Sequence, residues 1–525
     1  MESEEAKVIK AENSQQEVLT AFNRIPYALI NAEVNNTSKE LLDELTHICE
    51  YYKTYKKGAN FPTEGTNSDY TPAQLKYKMA ASLINKEARF LFAESPDITV
   101  EAKGDVGKTT PESKESLTIL NDLIKTIFDA NKFEESLLKA AKDCFIGKRV
   151  AGLVNLNEED GVTITFHPST QFIYETKSNN ANVLKKFVCF IIINDSINLS
   201  NKRIFKKKYE VIEDKVWLEE KIYDGAGREI EVVTESQPIL LPIIPAVIFI
   251  NDGLTGESTG ESEIEMLTDY EKWHSKLANA DIDAERKSMN PTKYLVDMDS
   301  NSTKKLSTAA GSIWDLGSDQ NLDKPFPLVG MLEPNMNFSE SLKTSLDRIK
   351  TSAYEQLDMP NITLESMQGA ITSGKSLKAI YWPLIVRCKE KMKMWGPQLR
   401  QLTDIIIQGA LTYPNCVTMY TNDAIKPVAY EIKVEQNTPL PEDEIEEKNM
   451  DLAEVEQKTM SRKSYMKKWR GLTDDEVNEE LKQIALERQL IEDAAFSASD
   501  DMQPYPPSGG NDDMSDDDDE LGIPE

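Results

Sequence analysis

Histidine is almost missing from this chain, cysteine is sparse, and neither is grouped. The histidines are His47, His167 and His274, and the five cysteines, Cys49, Cys144, Cys189, Cys388 and Cys416, include no CxxC pair. Such spacing assembles no zinc-type cluster and implies no disulfide framework. Reduced core thiols in a cytoplasmic product are the expectation. Basic charge is also in deficit: 60 Lys and Arg face 90 Asp and Glu, a formal net charge of -30. A field of that sign excludes a protein that grips nucleic acid along a broad basic face, so any DNA contact is local or weak. Long apolar runs are missing, which excludes a membrane span, and Met1-Glu2-Ser3-Glu4-Glu5 is the opposite of a basic signal-peptide start. The Asp and Glu runs supply no convergent carboxylate pair with a histidine or lysine beside it. No enzyme activity, metal or cofactor is therefore expected.

What is present is length and a change of texture. A chain of 525 residues is too long for one core, so several domains are expected. The first 149 residues read helical. Leu41, Leu42, Leu45, Ile48 and Tyr52 recur at helix spacing between Ser38 and Gly58. Thr71-Pro72-Ala73-Gln74 offers a cap, a first-turn proline and a capping-box glutamine, which predicts a helix from there to about Phe92. Leu117 to Phe128 and Phe133 to Cys144 carry two more helical patterns. From Val150 to 260 short β-branched and aromatic runs alternate with turn clusters, which predicts antiparallel strands at 162–166, 187–193, 209–212, 229–233 and 246–250. The basic run through Lys202, Arg203 and Lys206 to Lys208 reads as a solvated strand face.

The middle of the chain is the informative part. Ser262-Glu263-Ile264-Glu265 has capping-box form and opens one long helical pattern that ends at Asn290-Pro291. Between Thr292 and Pro334 lie strand-like runs at 294–296 and 313–316 with a short helical stretch near 304–310, a small α/β insert. Leu342, Leu346, Ile349 and Ala353 then space a second helix. An irregular stretch, 358–373, precedes a very long helical pattern from Gly374 that holds Pro383 and Gly396-Pro397, where kinks or breaks are expected. Strand-like runs follow at 417–420 and 430–434, then charged helices over 441–494 starting near Ser461 and Thr473. An Asp-rich tail, 497–525, is too poor in apolar residues to fold.

This succession resembles the portal proteins of tailed double-stranded-DNA bacteriophages, of the type found in long-non-contractile-tail phages of Gram-positive hosts. Gly260-Glu261-Ser262-Glu263-Ile264, Met289-Asn290-Pro291 and Thr372-Ser373-Gly374-Lys375-Ser376-Leu377-Lys378 carry the local likeness, and their order and spacing carry the rest. The resemblance implies an α+β, mainly helical portal fold that assembles as a ring. It assigns residues 1–260 to a wing (helical over 1–149, β-rich over 150–260), 261–290 to a first stem helix, 291–335 to a clip and 336–357 to a second stem helix. A tunnel loop follows at 358–376, a kinked helix returning to the wing at 377–436, a crown at 437–496, and a disordered acidic tail at 497–525. It also implies a homo-oligomer, a dodecamer in this family, at one capsid vertex of the virion, assembled in the host cytoplasm and passing double-stranded DNA non-specifically. Major capsid and scaffolding proteins, terminase and a head-to-tail adaptor are the implied partners, and no membrane is involved. The implied channel residues are Pro360, Asn361, Thr363, Gln368, Thr372, Ser373 and Lys375, and the implied clip interface is Trp314, Phe326 and Leu328. For Trp314 a role in the small core of the insert is the stronger reading. Counterion release rewards every cation placed on phosphate, so an acidic conduit suits low-friction passage of DNA.

One string pulls the other way. Gly369-Ala370-Ile371-Thr372-Ser373-Gly374-Lys375-Ser376 fits GxxxxGK[ST], which read literally is a P-loop with Lys375 on phosphates and Ser376 on magnesium. A P-loop follows a buried strand, and Asn361 to Gln368 is a poor one; the downstream apolar strand ending in aspartate is missing too. A P-loop ATPase remains the rival reading, and a scaffolding protein with an acidic tail is a second.

Overall fold

The computed structural model describes residues 25, 27–34, 39–61, 71–104, 111–194, 202–253, 260–289, 292–296, 328–332, 338–362, 374–421, 425–437, 444–472 and 474–500. Among the described residues helix accounts for 53% and strand for 24%, and every strand pairing is antiparallel, so the class is α+β with helix in the majority. The chain divides into two compact units, the second formed almost wholly by residues from Pro441 onward.

Two sheets build the centre of the first unit. Strands β2 (Arg149–Asn157), β3 (Gly161–Pro168) and β9 (Ala246–Ile250) form one, in the order β3-β2-β9. Strands β4 (Phe172–Lys177), β5 (Asn180–Asn194), β6 (Lys202–Ile212), β7 (Lys215–Asp224) and β8 (Glu229–Pro238) form the other as a meander. Side chains alternate across a strand, and the alternation sorts β2 and β9 between two cores. Val150, Val154, Val247 and Phe249 enter a helical core. Ala151, Leu153, Ala246 and Ile248 meet Phe172, Phe187 and Cys189 of the larger sheet. The opposite face of β5, through Val188 and Phe190, packs on Ile25, on Leu29 and Ile30 of α1 (Tyr27–Glu33), and on Leu45 and Cys49 of α2 (Lys39–Lys57).

The helical core gathers α3 (Met79–Phe92), α5 (Phe133–Gly147) and the long helix α9 (Trp382–Thr412), which follows the short α8 (Gly374–Ile380). Trp395 of α9 sits between Phe92 and Phe249, with ring centroids at 5.1 and 4.6 Å. Pro383 lies in the first turn of α9, where no helical donor is lost, and the break falls just before it at Tyr381. At Pro397, where a kink or a break is expected, the helix is not broken. A further two-stranded sheet pairs β1 (Asp97–Ala102) with β12 (Tyr430–Glu435) and is backed by α4 (Pro111–Ala130). In the second unit, α10 (Glu444–Glu456), α11 (Arg462–Arg470) and α12 (Asp474–Asp500) are joined by Trp469 Nε1 donating to Asp451 at 2.7 Å and by Arg470 pairing with Glu480. Ser461 caps α11 as its sequence predicts, accepting from the Ser464 N–H.

Several expectations are corrected. The helix predicted from Thr71 begins at Met79, and 71–78 is neither helix nor strand. Residues 417–420, read as strand, lie at the end of a 3-10 turn over Pro414–Val417 and in the turn after it. The basic run on β6 is not simply solvated: Lys206 is buried against Glu33, and Lys207 pairs with Glu220 at 3.0 Å. Helix α12 carries on to Asp500, four residues into the stretch read as tail, and the rest of that tail lies outside the described residues. The five cysteines are buried free thiols, and burial pushes Cys49, Cys189 and Cys388 up to about 12. No described helix is long and apolar enough to cross a membrane.

Candidate functional site

The long helix of the insert region, α6 (Glu263–Met289), is fastened at its first residues. Gly260 has φ +72°, and a Cβ there would stand 2.7 Å from the carbonyl oxygens of both Lys148 and Asn251, so only glycine fits. The Asn251 N–H donates to Lys148, and the Glu261 N–H donates to Asn251, each at 2.8 Å. Ser262, expected as a helix cap, instead donates its hydroxyl to the Ile146 carbonyl at 2.7 Å. These bonds tie the helix start to the ends of β2, β9 and α5.

Directly beneath lies a charge network closed off from water. Glu263, Glu87 of α3 and Lys391 of α9 are buried, and Arg387, one turn before Lys391, is nearly so. Lys391 Nζ pairs with Glu263, approaches Glu87 at 2.8 Å and Asn251 Oδ1 at 3.1 Å, and lies 3.6 Å from the Phe145 ring centroid. Arg387 Nε donates to Glu87 at 2.8 Å, and its Nη1 reaches Asp358 at 4.0 Å. Two cations for two carboxylates satisfy the demand that buried charge be paired. The carboxylates nonetheless divide the burden unequally. Burial and the neighbouring Glu87 push Glu263 up to about 7, whereas Lys391 and Arg387 hold Glu87 below the usual carboxylate range against its own burial.

Further along α6 a polar ladder replaces apolar packing. Glu271 accepts from the Ala59 and Ala80 N–H groups, each at 2.7 Å, and Ser275 Oγ accepts from Tyr77 N–H. Asn279 accepts from Leu75 N–H at 2.8 Å and donates back to Leu75 O, while Asp283 accepts from Ala73 N–H. The match is one of pitch: four helical residues rise about 6 Å and two extended residues about 6.6 Å, so positions 283, 279 and 275 meet the alternate amides of Ala73, Leu75 and Tyr77, while Glu271 closes the row on Ala59 and Ala80. This is why that segment stays out of the helix despite its helix-start signals. Beyond the ladder, β10 (Thr292–Val296) and β11 (Leu328–Leu332) form an antiparallel pair, with Thr292 opposite Leu332 and Val296 opposite Leu328. Helix α7 (Ser339–Glu355) then returns along α6. Its Leu342, Leu346 and Ile349 stay only half-buried, and Trp273 and Met289 of α6 are exposed. The helix pair thus keeps apolar surface that the other described residues do not cover.

The candidate residues are only partly placed. Pro360 is half-buried and lines a cavity of about 400 Å³ with Met359, Ile362, Tyr381 and Leu384, and Asn361 is exposed beside Thr351, its amide 3.3 Å from that hydroxyl. Lys375 falls in α8, and Leu328 opens β11. Trp314, Phe326, Thr363, Gln368, Thr372 and Ser373 lie outside the described residues, as do the runs expected at 304–310 and 313–316. The buried network and the ladder were not anticipated. The ladder left a signal, polar or small residues every fourth position on an otherwise amphipathic helix; the network left none beyond an acidic first turn. Among the described residues no group of histidine, cysteine and carboxylate side chains could hold a metal ion.

Residues 31–493 match the family model described as "Phage portal protein, SPP1 Gp6-like". None of the curated proteins matches the chain.

Proposed function

The chain belongs to the SPP1 Gp6-like phage portal proteins, and from that premise we propose that it is the repeating subunit of a ring at one capsid vertex, through which double-stranded DNA is packaged and later ejected. The family is one of structural proteins, and the role is structural rather than enzymatic. The observation that carries the finer reading is the helix, strand pair and helix succession of α6, β10, β11 and α7, whose apolar flank the other described residues leave uncovered. Closed rings use heterologous contacts, one face of each copy against a different face of the next, and an uncovered mixed helix pair supplies such a face.

In this reading α6 and α7 are the stem, and 291–335 is the clip, where terminase and then a head-to-tail adaptor dock around Trp314, Phe326 and Leu328. Residues 358–376 line the channel, with Lys375 contributing one cation per subunit, and 437–496 form the crown. The subunit number proposed is twelve. Negative-stain microscopy and native mass measurement of the purified protein test the assembly: a closed ring with a central hole is expected, and a monomer at every concentration overturns the reading. The same preparation is expected to hydrolyse no ATP; Mg-ATP turnover that disappears in Lys375→Ala would restore the nucleotide-site alternative.

A further inference from the structure

Strand β1 pairs with β12 along one edge and shows its other edge to α4. The Asn121 side chain of α4 occupies that second edge at one point: its Oδ1 accepts from the Val100 N–H and its Nδ2 donates to the Val100 carbonyl, each at 2.9 Å. In an antiparallel ladder the main-chain groups of every second residue point the same way. Ile98 therefore turns its N–H and carbonyl outward beside those of Val100. The bond from Lys103 N–H to Ala429 O, on the β12 side, fixes the same parity.

Outside this stretch of edge lies a groove of about 620 Å³ between 95–99 and the last turns of α4 with the start of α5. Its floor is apolar, with Ile124 and Phe133 buried and Phe128 stacked on Phe133 at 4.3 Å. Its rim carries Asp97, Asp122, Asp129 and Glu134 against Lys125 and Lys132, while Glu135 is paired with Lys139 at 2.5 Å. We propose that this groove is a docking site for an extended segment of another protein, which adds to the β1 edge at Ile98 and alternates lysine or arginine with apolar residues. The open main-chain groups supply the strand pairing, the floor takes the apolar side chains, and the rim selects positive charge.

Fluorescein-labelled peptides alternating lysine with valine or isoleucine, titrated against the full chain by polarisation, test this, with glutamate-for-lysine peptides as the control. The lysine peptides should bind and the glutamate peptides should not. Ile98→Pro removes an outward N–H that β12 does not use, so β1 is retained while affinity falls about tenfold or more, and Asp122→Lys with Asp129→Lys should do the same. Methylating peptide nitrogens on the pairing edge should abolish binding with the protein untouched, which separates strand addition from any folding defect. Equal binding by both peptide charges, indifference to edge methylation, or no binding at all overturns the proposal. So does binding that appears only after deletion of residues 1–24 or only in unassembled protein, since the occupant would then be this chain or a second copy.

Discussion

Lys391 and Arg387 face Glu87 and Glu263 in a core that water does not reach, and removing one member leaves the rest unbalanced. Lys391→Met should cost about 3–5 kcal/mol in urea unfolding, the usual penalty for breaking a buried pair from one side; a loss below about 1 kcal/mol would mean that the network is not a stabilising element. Its pH dependence has a definite sign. Glu263 is raised to about 7 from an ordinary 4.5, so between those values the folded state holds a proton that the unfolded chain has released. Its contribution is therefore full below about 4.5 and is lost as pH rises through 7. Glu87 is lowered, so its contribution is present above 4.5 and lost as pH falls below its folded value. Glu263→Gln should flatten the fall in stability between pH 4.5 and 7 while leaving the acid limb in place. An unchanged slope in that window would remove Glu263 as its source. Sequence alone marks Glu263 as a first-turn acid, and nothing local announces partners at positions 87, 387 and 391, because a contact across the chain leaves no periodic trace.

Helix α6 was legible because its period is strong and its ends are marked by Ser262 and Pro291, and α7 because Leu342, Leu346, Ile349 and Ala353 repeat at helix spacing. The non-helical segment 71–78 was not, since every local signal at Thr71-Pro72-Ala73-Gln74 favours a helix start. Tertiary partners overrode propensity there, with Ser275, Asn279 and Asp283 taking the amides that a helix would have used. Strand β2 escaped notice for a different reason: buried on both faces, it shows no polar alternation. The ladder makes its own prediction. Glu271→Ala strips the acceptor from two buried amides, those of Ala59 and Ala80, at about 1–3 kcal/mol each. Hydrogen exchange should then show faster loss of protection at Ala59 and over 73–80 than within the flanking helices α2 and α3, and unchanged protection there would sink the pitch-matching account.

At the scale of the molecule the family and the α+β class were legible, because order and spacing of elements survive in sequence, whereas contacts with another copy leave no such trace. Charge is where the whole chain makes a prediction of its own. The chain carries -30, and the ring proposed above would concentrate that charge around one axis, so electrostatic self-repulsion would oppose closure while the half-buried apolar flank of α6 and α7 would favour it. Screening shortens the reach of the first force and leaves the second untouched, since the Debye length drops from about 30 Å at 0.01 M salt to about 10 Å at 0.1 M. Ring formation should accordingly be favoured by salt. The stretch after Asp500 sharpens the test: its nine acidic residues have no basic counterpart, and a cut there brings the formal charge from -30 to -21. It also spares α12, which a cut after Phe496 would shorten. Mass photometry across a salt series should show rings from both chains, with the truncated chain closing at lower salt than the full one. Rings that dissolve as salt rises would mean that ion pairs between subunits hold them, and identical salt curves for the two chains would mean that the acidic tail lies too far from its neighbours to repel them.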